Sequence, residues 1–118
     1  IAVFGCGGDR DKGKRPIMGR IGGELADLCI LTSDNPRTED PMEILHEIEE
    51  GIKETTGEYV VIENRRDAIR HALEIGREGD IIVLCGKGHE TYQETMGVKR
   101  PFDEKVVVQE LLTELRGE

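Results

Sequence analysis

The residues best equipped for chemistry fall in three short stretches. The first is Thr32-Ser33-Asp34-Asn35-Pro36-Arg37, directly after the apolar run Leu28 to Leu31. An apolar run followed by a proline-bearing loop with one acid, one amide and one guanidinium reads as a strand delivering polar groups to a site. Arg37 leads this set. Its planar fork of donors meets a carboxylate or phosphate with two bonds at once, which a lysine cannot do. Pro36 fixes its own φ and holds Asn35 toward extended geometry, which stiffens the loop. The plain alternative is a surface turn whose Asp and Asn bond to local backbone.

The second stretch, Gly8-Asp9-Arg10-Asp11-Lys12-Gly13-Lys14, has the G-x-x-x-x-G-K spacing of a phosphate-binding loop. Arg15 stands where such a loop needs Ser or Thr for magnesium, and Asp9 and Asp11 bring negative charge toward the phosphates. A milder reading leaves the glycines and Lys14 close to a nucleotide held mainly elsewhere. Cys6 has Lys12 six residues on, not the Arg a cysteine phosphatase needs, and Gly5-x-Gly7 lacks the third glycine of a dinucleotide fingerprint.

The third stretch is Gly86-Lys87-Gly88-His89-Glu90. Its glycines let backbone come near a ligand, and a carbonyl there together with Glu90 can hold an ammonium group. His89 either acts as a general base or shapes the backbone from behind. His46 and His71 read as solvated helix residues, and Cys85 as packing. No residue is assigned a catalytic or metal-ligating role.

The elements that must carry these loops follow from hydrophobic spacing. Ile1 to Phe4, Leu28 to Thr32, Tyr59 to Ile62 and Ile81 to Cys85 are strand-like, the last a continuous apolar run expected to be covered on both faces. Between them lie three helical patterns. Pro16 opens the first, with Ile17, Ile21 and Leu25 on one face and Gly22 and Gly23 marking a close approach to another element. Asp40-Pro41-Met42-Glu43 starts the second, carrying Ile44, Leu45, Ile48 and Ile52. Asn64 caps the third, with Ala68, Ile69, Ala72 and Leu73. Tyr92 to Thr95 and Val98 to Phe102 flank Gly97 as a hairpin or extended arm, and Asp103 caps a last helix bearing Val107, Val108, Leu111, Leu112 and Leu115.

Alternating strands and helices predict a Rossmann-like α/β domain over residues 1–118. It has three layers, a mostly parallel sheet with helices on both faces and a C-terminal hairpin or antiparallel edge strand. Ligands of such sheets bind beyond the carboxyl ends of the strands. The loops Gly5 to Arg15, Ser33 to Arg37, Glu63 to Arg65 and Gly86 to Glu90 all reach that rim. They gather Arg10, Lys12, Lys14, Arg15, Arg37 and Lys87 there for a small anionic ligand.

The whole chain is otherwise acidic, with 25 acids against 16 bases and a net charge of -9, so broad adhesion to nucleic acid or an anionic membrane is disfavoured. Cys6, Cys29 and Cys85 show no C-x-x-C spacing and lie in or beside apolar runs, as reduced core cysteines do. The chain opens on a strand without an initiator Met, which reads as a fragment of a longer protein.

In this order, Phe4-Gly5-Cys6-Gly7-Gly8-Asp9-Arg10-Asp11-Lys12-Gly13-Lys14-Arg15-Pro16, Asp34-Asn35-Pro36-Arg37 and Gly86-Lys87-Gly88-His89-Glu90 closely resemble the C-terminal domain of the Mur ligases. Within that family they are most similar to the members that add the third amino acid to UDP-N-acetylmuramoyl-L-alanyl-D-glutamate. The resemblance spans nearly the whole chain. It implies one domain of a three-domain, monomeric, cytoplasmic enzyme of peptidoglycan precursor synthesis, with ATP and Mg2+ held mainly by a central domain outside this chain. It implies no nucleic-acid or membrane partner.

The resemblance also gives the loops their roles. Asp-Asn-Pro-Arg marks family members that use meso-diaminopimelate, while lysine-adding relatives carry another tetrapeptide. Position by position, it implies that Arg10 holds the proximal carboxylate of the amino acid, that Asn35 and Arg37 read the distal one, and that Asp34 belongs to the same substrate-binding set. The Gly86 carbonyl and Glu90 hold the distal ammonium, and Asp9 and Lys14 lie toward the nucleotide. The implied chemistry is amide formation through an acyl phosphate, with this domain positioning the amine and inactive alone. The alternatives are a ligase domain of the same superfamily using lysine or an archaeal cell-wall substrate, and a stand-alone α/β binding domain.

Overall fold

The computed structural model describes residues 1–86 and 90–117. Strands β1 (Ala2–Phe4), β2 (Leu28–Leu31), β3 (Glu58–Val61) and β4 (Val83–Leu84) form a sheet in the order β3-β2-β1-β4. Every pairing in it is parallel. Helices α1 (Lys14–Leu25), α2 (Pro41–Ile52) and α3 (Arg65–Ile75) make the crossovers. The chain steps outward from β1 to β2 to β3, and α3 then carries it back to β4 on the far side of β1. This reversal puts the switch point, where such sheets bind ligands, between the carboxyl ends of β1 and β4. β5 (Tyr92–Thr95) and β6 (Val98–Pro101) form a separate antiparallel hairpin, and α4 (Glu104–Leu115) ends the fold. The expected three-layer architecture and hairpin are both present.

Local chemistry starts the helices where their caps predict. The carboxylate of Asp40 accepts from the Met42 amide, Asn64 from the Asp67 amide and Asp103 from the Lys105 amide, each satisfying a donor that the helix leaves unpaired. Ile44, Leu45, Ile48 and Ile52 of α2 bury one face of the sheet through Phe4, Cys29 and Leu31. Ala68 and Ala72 of α3 bury the other against Val3 and Ile30, and α4 packs onto α3 through Val107 and Leu111.

Two expectations fail, for one reason. Ile17, Ile21 and Leu25 of α1 are exposed, Leu25 by 83%, although their spacing suggests a buried face. The face of α1 that packs is the small one. A Cβ on Gly19 would sit 2.1 Å from the Ile48 carbonyl oxygen, and one on Gly51 would sit 1.8 Å from that of Pro16, so the backbones of α1 and α2 touch. Gly22 and Gly23 mark close approaches as expected, to Phe4 and Cys29 and to Ile52 and Thr55. With α1 drawn toward α2, no described element covers the near face of β4. That strand is only two residues long, Ile81 precedes it at 76% exposure and Val83 is half exposed. The apolar run Ile81 to Cys85 is thus an edge, not a strand buried on both faces.

Candidate functional site

The rim is built by loops bonding to one another. The loop after β2 is the keel. Gly8 donates its amide to the Asn35 carbonyl at 2.7 Å, and a Cβ on Gly8 would lie 1.8 Å from the Pro36 carbonyl oxygen. That glycine therefore serves loop-to-loop contact. From the opposite side the hairpin docks as an added strand. The Glu94 amide donates to Asn35 Oδ1 at 2.9 Å, the Arg37 amide to the Glu94 carbonyl at 2.9 Å and the Gly97 amide to the Arg37 carbonyl at 3.2 Å. Gln93 Nε2 donates to the Asp34 carbonyl at 2.8 Å.

Arg37 adopts φ +54, a left-handed geometry uncommon for a residue with a side chain. Its half-buried guanidinium folds back over the first loop, where Nη1 donates to the Gly8 carbonyl at 2.9 Å and to the Asn35 carbonyl at 3.4 Å. No described hydrogen bond engages Nε or Nη2. Among the described residues one corner of the fork is anchored, at Nη1. Arg10 lies across Gly7 from it: a Cβ on Gly7 would be 2.8 Å from Arg37 Nη1 and 3.4 Å from Arg10 Cγ. Gly86, at φ +109, sits beside Asp34, whose Oδ2 would be 3.4 Å from a Cβ there. Glu90 Oε2 accepts from the Tyr92 hydroxyl at 3.2 Å. The structure thus places Arg10, Asp34, Asn35, Arg37 and Gly86 around neighbouring loop ends, with Glu90 at the base of the hairpin. Lys87, Gly88 and His89 lie outside the described residues.

The remaining basic residues behave differently from the expected anion cluster. Arg15 is buried, not turned to a ligand, because its guanidinium is consumed by protein groups. Nη1 donates to Glu47 at 2.7 Å, Nη2 to the Gly7 carbonyl at 3.0 Å, and both nitrogens to Glu39. Glu39 also accepts from the Asp9 amide and pairs with Lys12. Its hydrogen bond from Arg15 outweighs desolvation and holds its carboxyl at about 2. Asp9, at φ +54, gives its carboxylate to the Thr38 hydroxyl. Lys14 and Arg10 remain exposed.

The first loop does not by itself fit a triphosphate. The Gly8 amide is on Asn35, the Gly13 amide is on Asp11 and Arg15 is sequestered, so donors that a phosphate cradle needs are occupied. Among the described residues no group of three or more His, Cys, Asp or Glu is placed to hold a metal ion. Burial pushes the Cys6 thiol to about 11, so it is protonated packing. No described helix is long and apolar enough to cross a membrane.

Sequence reasoning missed the inward roles of Arg15 and Arg65 and the docking role of Gln93. Arg65 is buried, with Nε on Glu104 at 2.7 Å and its two Nη groups on the carbonyls of Ser33 and Cys85. A signal was available. Lys14-Arg15 and Arg65-Arg66 open α1 and α3 with positive charge, where the helix dipole opposes it. A cation kept there has another task.

Comparison with known proteins matches residues 1–88 to the family model described as the Mur ligase, glutamate ligase domain. A UDP-N-acetylmuramoyl-L-alanyl-D-glutamate--2,6-diaminopimelate ligase of Caldanaerobacter subterraneus subsp. tengcongensis is 60% identical over 114 residues, covering 97% of this chain and 24% of that protein. The same-named ligase of Clostridium botulinum is 55% identical over 115 residues, covering 98% and 23%. A solved structure of a ligase of that name superposes with a TM-score of 0.91 at 48% identity, over 98% of this chain and 24% of the other. The chain spans about a quarter of the length of the relatives it matches.

Proposed function

The chain belongs to the family of Mur ligase C-terminal domains, and from that premise we propose that it is the amino-acid-positioning domain of an ATP-dependent ligase. The parent enzyme adds meso-diaminopimelate to UDP-N-acetylmuramoyl-L-alanyl-D-glutamate in cytoplasmic peptidoglycan precursor synthesis, and its other domains hold the UDP-sugar, ATP and Mg2+. The observation that carries this reading is the anchored Arg37 fork: Nη1 is tied to two loop carbonyls on the Gly7 side where Arg10 also lies, and among the described residues no partner engages Nε or Nη2.

Diaminopimelate is lysine with a second carboxylate beside its distal amine. A guanidinium held by one corner accepts that carboxylate on its remaining edge with two charge-assisted bonds, whereas lysine leaves the cation desolvated and unmatched. Arg10 meets the proximal carboxylate, Asn35 assists at the distal one, and the Gly86 carbonyl with Glu90 takes the distal ammonium. Asp34 backs the loop. Asp9 and Lys14 face the nucleotide side, where the chain supplies no complete phosphate cradle. The domain accordingly acts by positioning, not by bond-making. It holds the free amine against the activated glutamyl carboxylate and helps exclude water, which lowers the barrier through proximity.

The test is turnover of the full-length parent with meso-diaminopimelate against lysine, in the native enzyme and in Arg37→Ala. Native enzyme is expected to use diaminopimelate and reject lysine. Loss of a buried charge contact of about 2–5 kcal/mol lowers kcat/KM for diaminopimelate by at least about 30-fold, with the KM for ATP nearly unchanged. The 118-residue chain alone should show no turnover. Undiminished diaminopimelate selectivity in Arg37→Ala overturns the assignment of that loop.

A further inference from the structure

Arg65 is buried, and it joins the two segments on which the site depends. Its Nη1 donates to the Ser33 carbonyl at 3.1 Å, and its Nη2 to the Cys85 carbonyl at 2.9 Å. Ser33 lies just beyond the end of β2, and Cys85 just beyond that of β4. Those strands flank β1 on either side, so one planar group links the chain beyond three of the four strands, from β2 past β1 to β4. The next residues along the chain are Asp34 and Gly86, which face each other with Asp34 Oδ2 3.4 Å from the Cβ position of Gly86.

The guanidinium is itself fixed. It is 1% exposed, and Nε is held by Glu104 from the first turn of α4, where a carboxylate suits the helix dipole. Gln93 donates to the Ser33 and Asp34 carbonyls as well. The loop after β2 is therefore gripped by the hairpin and by Arg65, while among the described residues Arg65 alone bridges the ends of β2 and β4 by a side chain.

From this geometry we propose that Arg65 is a positioning residue for the amino-acid substrate. By bridging the Ser33 and Cys85 carbonyls it sets the gap between the Asp34–Arg37 loop and the chain at Gly86. The proposal rests on the reading above, in which the first segment takes the distal carboxylate and the second the distal ammonium of one diaminopimelate. Those groups share one carbon, so both loops must be in register for either contact to form fully, and displacement of about 1 Å in such sites is costly. Lysine at position 65 keeps a buried cation for Glu104, but its single ammonium lacks the rigid fork that reaches two carbonyls on opposite sides.

The experiment uses the full-length ligase with Arg65→Lys, and with Glu104→Gln as a second variant that retains an acceptor for Nε. Steady-state kinetics with meso-diaminopimelate, lysine and ATP are paired with hydrogen exchange read by mass spectrometry. Loss of a buried bridging bond predicts a rise of about tenfold in KM for diaminopimelate in Arg65→Lys, a smaller rise in Glu104→Gln, a fall in selectivity over lysine, and a KM for ATP within about twofold. Exchange should quicken together at 32–37 and 83–86 while α2 keeps its protection. Parallel increases in both KM values that track a lowered Tm, or no change in a folded variant, reduce Arg65 to a core residue and overturn the proposal. A native enzyme that does not turn over diaminopimelate overturns the reading above instead. The exchange arm then judges the bridge by itself, since unchanged protection at both segments sinks it and paired loss supports it.

Discussion

The neighbouring strands β1, inside the sheet, and β4, at its edge, present opposite kinds of surface at their ends and along their faces. At their carboxyl ends the chain is interlocked, with two buried arginines, a docked hairpin and backbone-to-backbone contact at Gly8. Along the face shared with α1 they border an open apolar groove of about 650 Å³, lined by Phe4, Met18, Ile21, Leu25, Ile81 and Val83 among others. The rim completes itself from this chain's own groups. The groove does not. Order in the protein is therefore concentrated where the ligand is proposed to bind, and apolar content is no guide to it.

The largest expected effect comes from breaking the rim at Arg15. Arg15→Met removes the cation that joins Glu39, Glu47 and the Gly7 carbonyl, leaving Glu39 to the Asp9 amide and the exposed Lys12 and taking from Glu47 the cation it bonds. Breaking a buried pair from one side costs about 3–5 kcal/mol. Because Glu39 and Glu47 keep 17% and 32% of their side-chain surface, the loss should fall near about 3 kcal/mol. Denaturant unfolding measures it. A loss under about 1 kcal/mol, the range of an exposed ion pair, would mean that the cluster is solvated surface and that the contrast with the groove is false.

A gentler perturbation of the same cluster is acid. Glu39 titrates at about 2 in the fold against an ordinary 4.5, because Arg15 bonds its ionised form. A depressed folded value means that the stabilisation is complete above 4.5 and is lost as pH falls from 4.5 toward 2. Glu39→Gln should therefore be less stable than the native chain at neutral pH, with the difference shrinking across that window. Unfolding midpoints at pH 7, 4 and 2.5 decide it. A gap between the two proteins that stays constant with pH rules out the charge-assisted bond as its source.

How much of this was legible follows from the same contrast. The helix caps at Asp40, Asn64 and Asp103 were readable because capping is local: the residue type and the amide it serves lie within three positions. The parallel order was readable from alternation of strand and helix. The three candidate stretches were visible as motifs, since each is a contiguous run of residues. Arg15 and Arg65 were not, because a basic residue in a loop looks the same whether it faces a ligand or a carbonyl, and their partners lie 8 to 39 residues away. The face of α1 was misread for a related reason. Hydrophobic spacing ranks faces by transfer energy, while Gly19 and Gly51 select the packed face by letting two backbones meet, at Ile48 and at Pro16, in contacts between distant parts of the chain.

The smallest effect should come from the groove itself, and its smallness is the sharpest check on the comparison. Leu25 is 83% exposed and Ile21 half exposed, so neither has much apolar area withdrawn from water in this chain. At about 25 cal/mol per Å² removed from water, a side chain that stays wet forfeits little when it turns polar. Leu25→Ser and Ile21→Ser should each change the unfolding free energy of the chain by no more than about 0.5 kcal/mol, as surface substitutions do, plus a few tenths from the poorer helix propensity of Ser. Both replacements reduce the exposed apolar patch and should lower self-association in sedimentation. An unfolding loss of about 2 kcal/mol or more from either would show that α1 buries its isoleucine face. The helix would then be turned the way its periodicity suggests, and the glycine contact with α2 could not be the one that sets it.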